Sequence, residues 1–143
     1  MNNLLITGGS GYVGSRLIFK LLEETKIKIV NYDISLFGDS HLPKDDRFIY
    51  CKNDITNPAD FERAIINNNI DTVLHLACIS NDPTYELNSG LSKKINYDCF
   101  ENLVKISKKN NVKKFIYAST CSVYGISDSP NVIETNELKP ITD

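Results

Sequence analysis

No stretch of this 143-residue sequence is apolar for long enough to span a bilayer, so no membrane partner is expected. The first apolar run, Leu4 to Ile6, passes straight into glycines, which leaves no room for a signal peptide. Basic charge is scarce as well: 16 Lys and Arg against 18 Asp and Glu leave a net charge of −2, which gives no field for holding a phosphate backbone. Nucleic acid is therefore a poor partner, and an RNA-binding role ranks last among the functions considered. The four cysteines, Cys51, Cys78, Cys99 and Cys121, form no Cys-x-x-Cys pair, so no metal site is expected. They read as small buried hydrophobes of a reduced, cytoplasmic protein. Low-complexity tracts and internal repeats are absent too. What remains, 41% apolar and 24% charged residues, is ordinary globular usage, of a size for one domain over residues 1–143.

The pattern that is present alternates. Asn3 to Thr7 reads as a buried strand running into a glycine turn, and from Tyr12 the period changes to that of a helix, with Val13, Leu17 and Leu21 recurring and Ile18 and Leu22 beside them. A second strand follows from Ile27 to Asp33. Residues 34–47, with Gly38, Asp39, Ser40 and Pro43, read as a surface connection expected to be mobile. Phe48 to Cys51 is a third strand; Asn57 then caps a helix with Pro58 at its first position and Phe61, Ala64 and Ile65 inward. Thr72 to Leu76 is the fourth strand, followed by a loop with an Asn81-Asp82-Pro83 turn. One long helix, about 86–109, carries Leu87, Leu91, Ile95, Cys99, Leu103 and Ile106 on a stripe and ends in solvated Lys108 and Lys109. Lys114 to Ser119 is the fifth strand. Strands alternating with helices predict an α/β fold: a doubly wound parallel sheet, truncated after the fifth strand and its following loop.

Between the first strand and the first helix lies Thr7-Gly-Gly-Ser-Gly-Tyr-Val-Gly14. Glycines in this context permit a tight turn (Gly8), close backbone approach to a diphosphate (Gly11) and close packing of the helix (Gly14), and the helix N-terminus faces the anion. A bare glycine pattern also fits an ordinary strand-to-helix turn. Asp33, closing the second strand about 20 residues on, changes the balance, since a carboxylate there accepts from ribose hydroxyls and repels an added phosphate. The cofactor expected is NAD rather than NADP, with Arg16 a solvent-facing helix residue.

These and later motifs make the sequence resemble the extended short-chain dehydrogenase/reductase family, in its nucleotide-sugar epimerase and dehydratase branch. Thr7 to Gly14 matches the family's Thr-Gly-x-x-Gly-x-x-Gly, and Asp54-Ile55 its adenine-binding acidic position. His75-Leu-Ala-Cys78 is similar to its His-Leu-Ala-Ala segment, Asn96 to its mid-helix Asn, and Ala118 to Gly125 to its Ser-Ser-x-x-Val-Tyr-Gly block. The resemblance implies cofactor contacts from Gly8, Gly11, Tyr12, Val13, Gly14, Asp33, Asp54, Ile55, Leu76, Ala77, Cys78, Asn96 and Ser119, with Asn96 supporting the active-site backbone. It makes Thr120 the catalytic hydroxyl, Tyr124 a structural or substrate-lining residue, and His75 a member of the strand rather than a catalytic group. Cys121 and Ser122 stand where dehydratases carry an Asp-Glu pair, which favours epimerase or dehydrogenase chemistry.

The family's proton-transfer motif, Tyr-x-x-x-Lys, is missing: none of the seven tyrosines has a Lys four residues later. Glu134 and Pro140 fit the segment that leads into that motif. The expectation is therefore the N-terminal part of a longer enzyme, acting on a nucleotide sugar by transient hydride transfer, whose printed chain binds NAD without turnover. The alternative is a non-catalytic NAD sensor or scaffold. The resemblance further implies a homodimer through the helix at 86–109, and truncation predicts an open sheet edge at the fifth strand.

Overall fold

The computed structural model describes residues 2–36, 38–80, 87–126 and 131–141. Five strands, β1 (Asn3–Thr7), β2 (Lys28–Asp33), β3 (Phe48–Lys52), β4 (Thr72–His75) and β5 (Lys114–Tyr117), pair in parallel in the order β3-β2-β1-β4-β5. The helices are α1 (Tyr12–Glu24), α2 (Pro58–Asn67), α3 (Ser89–Lys93) and α4 (Phe100–Lys109). A π-helical turn, Lys94–Asp98, joins the last two, and a 3-10 turn, Cys121–Tyr124, follows β5.

Successive strand residues face opposite sides of a sheet, and here both sides are covered. Leu4, Ile6 and Ile29 pack with Ile18 and Leu22 of α1. Leu5, Val30, Tyr32 and Val73 pack on the other side with Phe61, Ala64 and Ile65 of α2 and Leu103 of α4. The Tyr32 ring meets Phe61 edge-on at 5.6 Å, and its hydroxyl donates to the Asp54 carbonyl at 3.1 Å. The sheet is thus doubly wound as expected. Its order reverses at β1, from which the chain steps outward to β3 and then returns to β4, so a crevice opens at the carboxyl ends of β1 and β4.

Several expectations need correction. The buried face of α1 is Gly14, Ile18 and Leu22, while Val13 is 62% exposed; the stripe is turned by one residue because Gly14 must face the glycine turn. The long helix is not continuous. Its π turn adds a residue to the winding, so that Cys99, Leu103 and Ser107 are buried but Leu87 and Leu91, expected on the same stripe, are exposed. Glu86 and the Asn81-Asp82-Pro83 turn lie outside the described residues. The connection at 34–47 is tied down where it is described: Arg47 donates to the α1 C-terminal carbonyls of Thr25 (2.6 Å) and Leu22 (2.8 Å), and His41 reaches the Ser10 carbonyl at 3.1 Å. Of the four free cysteines only Cys99 is buried; Cys78 and Cys121 are exposed. The edge position of β5 is as expected, with Ile116 and Tyr117 exposed.

Candidate functional site

Two helix beginnings in this fold are built differently. At α2 the Asn57 side chain accepts from the amides of Ala59 and Asp60, and Asp60 adds a carboxylate to the first turn. At α1 the cap position is Gly11, no side chain caps the helix, and the first turn holds no acid. The first intrahelical bond is donated by Ser15, so the amides of Tyr12, Val13 and Gly14 have no helical acceptor. Three free N–H donors at the positive end of a helix can hold an anion.

The glycines shape its floor. Gly8 has φ +73°, and a Cβ there would stand 2.6 Å from the amide nitrogen of Ala77, in the chain leaving β4. At Gly14 a Cβ would stand 2.5 Å from the Cα of Gly9 and 2.6 Å from the Gly8 oxygen, so α1 lies directly on the turn. Gly11 closes that turn, donating to the Gly8 carbonyl at 3.1 Å. Its amide is therefore spent within the loop, and the donors that face outward are those after it.

Asp33, at the end of β2, accepts from Ser10 N at 2.9 Å with one carboxylate oxygen and from Ser35 N at 2.7 Å with the other. It thereby joins the glycine loop to the turn after β2. Each oxygen keeps further lone pairs for a ligand. Asp54 is exposed, with one carboxylate oxygen held by Thr56 N at 2.8 Å; the Ile55 side chain, by contrast, is packed in the core.

The end of β4 is fixed from both sides. Thr7 Oγ1 accepts from the amides of Leu76 (3.2 Å) and Ala77 (3.3 Å) and lies 2.6 Å from His75 Nδ1. With both lone pairs engaged, the threonine hydroxyl donates to Nδ1, which places the imidazole proton on Nε2. Burial pushes His75 down to about 4, so it is neutral at pH 7 and stacks on Tyr117 at 5.8 Å. This is the structural role read from the sequence. Further along, Asn96 in the π turn grips one residue twice, accepting from Ile79 N at 2.8 Å and donating to Ile79 O at 2.9 Å. Asn96 therefore supports the backbone after β4 instead of reaching a ligand itself. Cys78, between these two anchors, is exposed, and partial burial raises its thiol above the ordinary value.

On the neighbouring strand, Ser119 and Thr120 are exposed beyond the end of β5. Thr120 caps the 3-10 turn: its hydroxyl accepts from Ser122 N at 3.1 Å and donates to Ser122 Oγ, also at 3.1 Å. Gly8, Tyr12, Val13, Gly14, Asp33, Leu76, Ala77, Cys78, Ser119 and Thr120 thus all lie at or after the carboxyl ends of β1, β2, β4 and β5. Among the described residues no group of three or more His, Cys, Asp or Glu could hold a metal ion, and no helix is long and apolar enough to cross a membrane.

Sequence reading missed a set of polar residues beneath the loop. Asn31, wholly buried in β2, donates to Ser10 Oγ at 2.9 Å, and Ser10 Oγ lies 3.0 Å from Ser35 Oγ, which also accepts from Tyr50. The signal was present: an asparagine between Val30 and Tyr32 in an otherwise apolar central strand needs a partner.

A crevice at the switch point of a doubly wound sheet, an open helix end behind glycines and an acid closing β2 define a dinucleotide-binding fold. The chain matches the NAD dependent epimerase/dehydratase family over residues 4–143 and belongs to that family. It is 33% identical over 140 residues to dTDP-4-dehydro-6-deoxyglucose reductase of Escherichia coli, covering 90% of this chain and 42% of the reductase. Among solved structures it resembles UDP-N-acetylglucosamine 4-epimerase from Methanobrevibacter ruminantium in complex with UDP-N-acetylmuramic acid, with TM-score 0.86 and 26% identity, covering 99% of this chain and 45% of that one. It also resembles the Bordetella bronchiseptica enzyme WbmH in complex with NAD+, with TM-score 0.83 and 29% identity, covering 99% and 47%. The chain therefore spans less than half the length of each of these proteins. The cofactor expected from the sequence is the one in the family's own description.

Proposed function

We propose that this chain binds NAD at the carboxyl edge of its sheet and forms the cofactor-binding part of an enzyme that oxidises and re-reduces a nucleotide sugar. The observation that carries the first half is the pairing of three unpartnered amides, Tyr12, Val13 and Gly14, with the Asp33 carboxylate across one glycine loop. The amides would hold the diphosphate and Asp33 the adenosine ribose; Asp54 would accept from the adenine amino group. When bound, NAD supplies a hydride acceptor that can return what it takes.

The residues here fit that group. Gly8 and Gly14 let the chain leaving β4 and the start of α1 pack directly on the loop, which keeps the first-turn amides close to it, and Asn96 and Thr7 fix the backbone of residues 76–79 alongside. Thr120 would orient the reacting sugar hydroxyl, releasing Ser122 Oγ as it does so. Cys121 and Ser122, in place of an acid-base pair, support epimerisation or simple oxidation over dehydration. Since no tyrosine of the 143 residues has a Lys four positions on, the chain by itself is expected to bind without turnover. A non-catalytic NAD sensor or scaffold is the second reading.

Comparative titration tests the cofactor. NAD should bind at least about 10-fold tighter than NADP, because a second phosphate beside Asp33 meets a fixed carboxylate, and Asp33→Ala should cost NAD about 10- to 100-fold, the worth of a charge-assisted hydrogen bond. Tighter binding of NADP would overturn the assignment. For the substrate, a full-length enzyme carrying this segment should reduce bound NAD transiently on adding a UDP- or dTDP-sugar; reduction by a hydroxysteroid alone would contradict the class, and no reduction by any alcohol would favour the sensor. A homodimer through residues 87–109 is also proposed, supported by exposed Leu87, Leu91 and Tyr97. Light scattering that shows a heat-stable monomer would remove it.

A further inference from the structure

Asp33 does not hold itself in place. Its two oxygens accept from Ser10 N and Ser35 N, and the two serine hydroxyls meet at 3.0 Å, so that Asp33, Ser10 and Ser35 form a closed ring of hydrogen bonds. Two residues outside the ring brace it. Asn31 donates to Ser10 Oγ from beneath at 2.9 Å, and the Tyr50 hydroxyl donates to Ser35 Oγ. Asn31 and Tyr50 are register partners on β2 and β3, which puts their side chains on one face of the sheet, below the loop.

Two features make this more than packing. Ser35 sits at φ +49°, a left-handed conformation that a residue with a Cβ adopts reluctantly, yet it is buried and tied by its amide and its hydroxyl. Asn31 is wholly buried with its Oδ1 unpaired, so the strand keeps an amide at a cost in order to present Nδ2 to Ser10. Both features are spent on the two amides that aim one carboxylate.

We propose that Tyr50 and Ser35 are positioning residues that pre-set the Asp33 carboxylate for the adenosine ribose, so that preference for a ribose 2′-hydroxyl is determined partly from β3, away from the ligand. This rests on the reading of Asp33 as the ribose acceptor. A carboxylate held before the ligand arrives pays no ordering entropy on binding, and its hydrogen bonds are worth most when its direction is fixed. Tyr50→Phe and Ser35→Ala each remove a hydroxyl while leaving both amides that hold Asp33, so Asp33 stays charged and present but loses its brace.

The test compares the Kd of NAD with that of its analogue lacking the adenosine 2′-hydroxyl. In the unaltered chain NAD should bind about 10-fold tighter or better, as a hydrogen bond to a charged group allows. In Tyr50→Phe that ratio should fall to about 3-fold or less, and Ser35→Ala should do the same, with NAD weakened and the analogue nearly unchanged. Equal weakening of both ligands, or an unchanged ratio in both folded variants, marks the hydroxyls as structural only and overturns the proposal while leaving Asp33 in its role. A ratio near one in the unaltered chain refutes the Asp33 reading, and the proposal with it. Should Tyr50→Phe fail to give a cooperative thermal melt, the Ser35→Ala ratio decides.

Discussion

His75 shows how a single side chain can couple this fold to pH. It is 3% exposed, hydrogen-bonded to Thr7 and enclosed by Phe100, Phe115 and Tyr117, and burial lowers it from its ordinary 6.5 to about 4. As pH falls, the unfolded chain takes up the proton first. Stability is therefore complete above about pH 6.5 and declines until about pH 4, by up to about 3 kcal/mol. Carboxyls held low in the folded chain, such as Asp71 with its backbone donors at Asn2 and Asn3, lose their contribution only at lower pH. Urea midpoints at pH 7 and pH 4.5 should differ in the native sequence and differ much less in His75→Gln. An equal drop in both would place the proton elsewhere.

At the scale of elements, the π turn between α3 and α4 determines what the loop after β4 can do. The extra residue in its winding is what lets Asn96 meet Ile79 with both ends of its amide while Cys99 and Leu103 still reach the core. Replacing Asn96 with Leu keeps the branched shape with bulkier ends and removes both bonds, leaving the Ile79 amide and carbonyl without partners. The expected loss is about 1–3 kcal/mol of local stability. Hydrogen exchange at the Ile79 amide should speed up at least about 10-fold, with strand amides such as Leu5 unchanged. Uniform acceleration throughout would mean that Asn96 matters to the whole fold and not to this loop.

For the molecule as a whole, the arrangement of strands and helices was legible because each buried strand is short and rich in Ile, Val and Leu, and each turn is marked by Gly, Pro or Asn. The caps at Asn57 and Pro58 and the inward Phe61, Ala64 and Ile65 are as read. The glycine turn between β1 and α1 was legible too, because its need for glycine is steric and local. What failed did so for tertiary reasons. A π turn leaves no trace in periodicity, so Leu87 and Leu91 were assigned to a stripe they do not share. The connection at 34–47 looked loose because its anchors, His41 to the Ser10 carbonyl and Arg47 to the end of α1, bridge far along the chain. The ring of Asp33, Ser10 and Ser35 with its brace from Tyr50 depends on three segments meeting, which only the sheet order brings about.

All of this converges on one place in the molecule, the first turn of α1 and the acid facing it. Amide-resolved NMR during titration with NAD reads that place directly. The account predicts saturable shifts that are largest at the amides of Tyr12, Val13 and Gly14 and at Ser10 and Ser35, which report on Asp33, with α2 unmoved. Saturation with no shift at those five amides, or the largest shifts on α2, would contradict it.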